Sequence, residues 1–270
     1  MINRKKILRS IISYVPSLKK ILRKSGTSPL NAEYYYNIYQ YHIKILEEYK
    51  VRKSGVIVEL GPGDTFGVGM CAILDGFSKY IAIDIIEHFN VDKNLKVLLE
   101  FQRYYNKDLI FAELLQEVRQ GKRNLINFYK NLDFLEDESV DLIISNAVLE
   151  HVLDLEKYYK EMFRILKPNG FCSHIIDYGA HEFSEIWYEH LYLSNWFWSF
   201  LMHGRMYPIN RFSHSYHIKI AKDIGFKVIY EKKNLSTKAD INKLSKNLRK
   251  IYSDEDLQVK NAHIILKKEK

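Results

Sequence analysis

The chain is poor in the residues that staple or interrupt a fold. Its 270 residues include only two cysteines, Cys71 and Cys172, and five prolines. Two thiols cannot build a disulfide framework, and their scarcity points to a reducing compartment. No stretch approaches the roughly 20 consecutive apolar residues of a membrane-spanning helix. The basic N-terminus lacks the apolar centre and small-residue cleavage site of a secretory signal. There is no internal repeat and no low-complexity tract, which excludes fibrous and disordered classes. What remains is 47% hydrophobic and 27% charged, the composition of one globular domain with a sizeable core.

Charge is informative once it is located. Residues 1–24 hold Arg4, Lys5, Lys6, Arg9, Lys19, Lys20, Arg23 and Lys24 and no acid, which equals the whole formal charge of +8. The rest of the chain is balanced, so it lacks a broad phosphate-binding surface and a nucleic-acid partner is not expected. Within the arm, Ile7, Leu8, Ile11, Ile12, Val15, Leu18 and Leu22 share one helical face. A basic amphipathic helix of this kind suits an anionic membrane surface or a partner, and equally a helix packed on its own domain. The expected location is cytoplasmic, peripheral on the inner face of the membrane.

Residues 1–30 are read as this arm, 31–54 as an N-terminal helix, and 55–270 as the main domain. Tyr34, Ile38, Tyr41, Ile45 and Tyr49 form the predicted inward stripe of the N-terminal helix. Strands are expected at 56–60, 79–83, 124–130, 140–145, 171–177, 226–230 and 263–266. Helical segments alternate with them, and extra helices fall within 87–123. Such alternation implies an α/β, doubly wound, Rossmann-like sheet of seven strands with helical additions.

In sheets of this kind ligands bind beyond the carboxyl ends of the strands. That edge carries Glu59, Gly61, Pro62 and Gly63 after the first strand, Asp84 after the second and Asn146 after the fourth. Glycines let a backbone approach a ligand, and a carboxylate ending the second strand has two oxygens for two ribose hydroxyls. A nicotinamide site would want a third glycine three residues after Gly63. Phe66 stands there, and Gly67 comes one place late.

With these residues in place the chain resembles the class I S-adenosylmethionine-dependent methyltransferases. The resemblance rests on Val58-Glu59-Leu60-Gly61-Pro62-Gly63, Ile83-Asp84, Glu138-Ser139-Val140-Asp141-Leu142-Ile143, Leu149-Glu150-His151-Val152 and Leu166-Lys167-Pro168-Asn169-Gly170. It implies S-adenosylmethionine as cofactor, the glycine loop against its methionine part and Asp84 on its ribose. It also implies a last strand that runs antiparallel. In the family an acid after the third strand often meets adenine, and Asp133 is the nearest candidate here. His151 opens a helix, where a contact to a backbone carbonyl and a role near the cofactor are equally consistent.

Six of the ten histidines lie between residues 174 and 217. The stretch 179–214 is aromatic, holds all three tryptophans and follows the fifth strand, which marks it as an acceptor-side insertion. His181 is the expected general base, with Asp177 to orient it and His174 nearby. The same three side chains also suit a divalent ion; the base is preferred and no metal is assigned. The run His174 to Asp177, His181-Glu182-Phe183 and Asn210-Arg211 resembles methyltransferases of bacterial surface-polysaccharide biosynthesis. That implies O-methylation of a glycan or sugar phosphate, with Tyr178, Asn210 and Arg211 on the substrate and glycan-assembly enzymes as partners of residues 1–24. The alternatives are a small metabolite or lipid head group as acceptor, and a non-catalytic relative that binds a partner.

Overall fold

A computed structural model describes residues 29–269 except 106, 107, 204 and 206. The basic arm and the membrane contact expected of it lie outside the described residues. No described helix is long and apolar enough to cross a membrane.

Helix α1 spans Ala32–Glu48 and is capped by the Asn31 side chain, which accepts from the Glu33 N–H at 2.7 Å. Its buried face is Tyr35, Tyr39, His42, Ile43 and Leu46, one position on from the stripe read in the sequence. Tyr34, Tyr41 and Tyr49 point outward. Tyrosines sit on both faces, and their amphipathic rings do not distinguish inside from outside.

The strands are β1 (Val56–Leu60), β2 (Lys79–Ile83), β3 (Ile126–Tyr129), β4 (Val140–Asn146), β5 (Leu166–Asp177), β6 (Phe226–Leu235) and β7 (Val259–Lys268). They form one sheet in the order β3-β2-β1-β4-β5-β7-β6. The first four are mutually parallel, with Val58 opposite both Ile81 and Ile143. Strand β7 opposes β5. The Tyr178 N–H donates to Lys260 O (2.9 Å) beside the end of one and the start of the other. At their far ends the Lys268 ammonium donates to Leu166 O (2.8 Å). The fold is therefore the seven-stranded, doubly wound α/β sheet expected, with the last strand antiparallel.

Between the strands lie α2 (Gly67–Asp75), α3 (Val91–Glu100), α4 (Asp108–Gln120), α5 (Leu155–Ile165), α6 (Asn195–Met202) and α7 (His214–Ile224). Helix α2 is apolar on every side and is buried from Gly67 to Leu74. Helices α3 and α4 are the extra layer anticipated within 87–123. The Glu117 carboxylate of α4 accepts from the N–H groups of Leu125 (2.8 Å) and Ile126 (2.6 Å), which fixes where β3 begins.

The described chain divides into two compact units. The first comprises residues 29–146, 160–173 and 266–269, and the second residues 147–159 and 174–265.

Candidate functional site

In the first unit, β1 and β2 end side by side, with Leu60 opposite Ile83. The Gly61 N–H donates to Ile83 O at 2.8 Å, so the glycine loop leaves β1 pinned to the end of β2. Gly61 and Gly63 adopt φ of 65° and 72°, a left-handed conformation that any side chain would strain. Pro62 between them presets its own φ.

Glu59 is buried, and its Oε2 accepts from the Tyr80 hydroxyl at 2.6 Å. It caps no helix. Burial pushes its carboxyl up to about 7; the Tyr80 bond opposes this, and the charge of Asp84 adds to it. Asp84 itself is half-buried at the strand end. Thr65, in the same loop, is 1% exposed, and its hydroxyl has no hydrogen-bond partner. A left-handed glycine turn, an acid at each of two strand ends and an orphaned hydroxyl suit a ligand with ribose hydroxyls and an amino-acid tail. The donor set therefore fits S-adenosylmethionine. Asn146 ends β4, half-buried. Asp133 lies exposed in the single turn Leu132–Phe134 after β3, capped by Asn131.

In the second unit, the turn Leu149–His151 follows the end of β4. Asn210 clamps it. Its side-chain amide donates to Leu149 O and Val152 O, both at 2.8 Å, and its N–H donates to Glu150 O at 2.7 Å. The His151 Nδ1 meets Pro208 O at 3.1 Å, the backbone contact the sequence left open. Glu150 is 2% exposed with both carboxylate oxygens lacking a partner. The His181 Nε2 stands 3.8 Å from Glu150 Oε1 and 3.9 Å from Asp177 Oδ2. The rings of His151 and His181 are 5.2 Å apart. His181 has φ of 49°, unusual for a residue with a Cβ. Burial pushes the Glu150 carboxyl up to about 8, with the Asp177 charge adding to it. Burial pushes the His151 imidazole down.

Other expected site residues are placed elsewhere. His174 is fully buried, and burial and the nearby His263 push it down to about 3. Tyr178 is buried with its hydroxyl 3.0 Å from His214 Nδ1. Asn210 is spent on the turn. Arg211 donates to Leu193 O (2.7 Å), His190 O (3.3 Å) and Asn195 Oδ1, so its guanidinium holds loops rather than reaching for an anion. The physical reason is shared: a buried polar group must be satisfied by the chain itself. Glu150 is the residue that the sequence reading missed. The acid next to His151 was a visible signal, but nothing in the sequence ties it to a histidine 31 positions later.

Residues 58–173 match the family model of a methyltransferase domain. The structure is similar to a protein described as a sarcosine dimethylglycine methyltransferase from Galdieria sulphuraria. The two share 13% identity over 87% of this chain and 86% of that one, with a TM-score of 0.53. It is also similar to a geranyl diphosphate methyltransferase in complex with S-adenosylmethionine, at 12% identity over 85% of each chain and a TM-score of 0.50. These likenesses are of fold. No curated protein matches the chain.

Proposed function

The chain is an S-adenosylmethionine-dependent methyltransferase, and from that premise we propose that it methylates a hydroxyl group of a carbohydrate-type acceptor. S-adenosylmethionine, when bound, supplies a methyl group activated on a sulfonium. Gly61, Pro62 and Gly63 would lie against its methionine part, and Asp84 would accept from its ribose hydroxyls. The family match ends at residue 173, so the acceptor must be argued from the second unit alone.

One observation carries the hydroxyl reading. Glu150, His151, His181 and Asp177 bring two carboxylates and two imidazoles together, and an alcohol is a poor nucleophile until its proton is drawn away. An amine or thiol acceptor needs less help. Trp196 of α6 supports a sugar. It is 75% exposed, and its ring stacks with those of Phe197 and Phe200, an apolar face suited to a pyranose ring. Because Arg211 is committed to loop carbonyls, the proposed acceptor is recognised through hydroxyls rather than through a phosphate.

The test is methyl transfer from labelled S-adenosylmethionine to a panel of sugars, glycans, amines and thiols. Sugar hydroxyls are the expected acceptors. His181→Ala should lower kcat by about 10²–10⁴-fold, with cofactor affinity unchanged. Transfer to amines alone, or a His181→Ala enzyme at full kcat, would overturn the reading.

A further inference from the structure

A buried carboxylate with no donor is costly. Glu150 is in that position with both oxygens. Beside the backbone of Asp177, the His181 Nε2 faces it at 3.8 Å from Oε1, beyond hydrogen-bond reach and itself without a partner. Two partnerless polar groups this close can share a ligand.

We infer that Glu150, His151 and His181 form a binding site for a divalent transition-metal ion. One ligand atom from each residue lies within 4.8 Å of the others. Ligand atoms about 2.1 Å from a shared ion sit about 3.0–3.4 Å apart in octahedral or tetrahedral geometry, so the set would close by no more than about 1.4–1.8 Å, within reach of side-chain rotation. The orientation of His151 is independent support. Its Nδ1 is held by Pro208 O at 3.1 Å, which fixes the tautomer and leaves Nε2 as the lone-pair donor. Metal-ligating histidines commonly have their second nitrogen held in this way. The φ of 49° at His181 is a further mark: left-handed backbone in a residue with a Cβ persists where the surroundings impose it. Two imidazoles and one carboxylate suit Mn²⁺, Co²⁺, Fe²⁺ or Zn²⁺ better than the all-oxygen shells of calcium. Three protein ligands leave positions open for an oxygen of another molecule. Asp177, 3.9 Å from His181, adds negative charge beside the site, and its Oδ1 accepts from the Gly179 N–H at 2.8 Å.

This deepens the hydroxyl reading, since a cation in the cluster would acidify an alcohol bound to it. The existence of the site does not depend on that reading. With a metal in place the His181 imidazole is a ligand, and the acceptor proton would pass to the Asp177 carboxylate beside the cluster.

The full chain, stripped with chelator and dialysed, is titrated calorimetrically with Mn²⁺ and with Co²⁺, the latter followed also by its visible absorption. One saturable equivalent is expected for wild type. Glu150→Gln and His181→Ala should each weaken it at least 10-fold, and His203→Gln, outside the cluster, should leave it unchanged. S-adenosylmethionine affinity, measured on every variant, confirms that the chain is folded. Should Glu150→Gln fail to fold, Glu150→Asp and His181→Asn serve in its place. Absence of saturable binding to wild type, or equal binding by wild type and a folded Glu150/His181 double variant, overturns the site. Saturable binding with no sugar methylation would uphold the metal and defeat the acceptor assignment; sugar methylation without metal binding would do the reverse.

Discussion

Asp84 stands where β2 stops. Its N–H donates to Tyr129 O at 3.3 Å, and its Oδ1 meets the Ile86 N–H only at 3.5 Å. This half-buried carboxylate follows Ile83, to whose carbonyl the Gly61 N–H donates, so it stands beside the glycine loop. Asp84→Ala should weaken S-adenosylmethionine binding by about 1.5–3 kcal/mol, the loss typical of hydrogen bonds to a charged group, with little change in melting temperature. Calorimetric affinity within twofold of wild type would remove Asp84 from the site. At this scale the placement of Glu59, Gly61, Gly63 and Asp84 at neighbouring strand ends was legible in the sequence, because short strands and tight turns fix it. The acceptor half was legible only in part. The nearness of His181 to Asp177, 3.9 Å in the structure, was readable from four residues of spacing at a strand end. Glu150 needed the fold to bring it to them, and His174, Tyr178, Asn210 and Arg211 turned inward for reasons no local pattern reveals.

Among the elements, α2 is the one that everything in its unit leans on. A Cβ at Gly69 would lie 2.4 Å from the ring of Tyr80, whose hydroxyl donates to Glu59. Alanine favours an exposed helix interior over glycine by about 1 kcal/mol. Overpacking a filled core costs about 1–3 kcal/mol, and here it also threatens a buried hydrogen bond, so the clash wins. Gly69→Ala should therefore lower the unfolding free energy in urea by about 1–3 kcal/mol and weaken cofactor binding through Glu59. A variant as stable as wild type would mean that Tyr80 has room to yield. The strands themselves were readable because β1, β2 and β4 are continuous apolar runs, buried on both faces. The expected stretches at β6 and β7 came out short, because Glu231, Lys232, Lys233 and Asn234 and the ends of β7 are polar although their backbone continues in the sheet.

Over the whole molecule the buried ionisable groups oppose each other. His174, His190 and His217 are all held down to about 3, chiefly by burial. Each is neutral in the fold and gains a proton on unfolding, so the stability they contribute is present above the ordinary histidine value near 6.5 and is lost as pH falls below it. Glu59 and Glu150 are pushed up to about 7 and about 8. Their contribution is complete below the ordinary carboxyl value near 4.5 and is lost as pH rises through their raised values. Between about 4.5 and 6.5 the two sets compete. Below about 4.5 the carboxyls have nothing more to give, and each histidine costs about 1.4 kcal/mol per pH unit. The melting temperature should pass through a broad maximum at mildly acid pH and drop steeply below about 4.5. A flat profile down to pH 4 by scanning calorimetry would contradict the burial of these imidazoles.

The three tryptophans, Trp187, Trp196 and Trp198, all belong to the second unit, and this gives the chain an intrinsic spectroscopic probe of that half alone. Trp198 is 5% exposed; its indole donates to Ile209 O at 3.0 Å, and its ring lies 5.4 Å from that of His190. Trp187 is equally enclosed and donates to Thr237 O at 3.0 Å. Indole emission therefore reports on the half of the protein that the family match leaves out, while the first unit is spectrally silent at that wavelength. Ile209, which receives the Trp198 bond, directly precedes Asn210, the clamp on the turn that carries Glu150 and His151. A change at that turn has a two-residue route to a buried fluorophore, so events at the acceptor half can be followed without a label and told apart from cofactor capture.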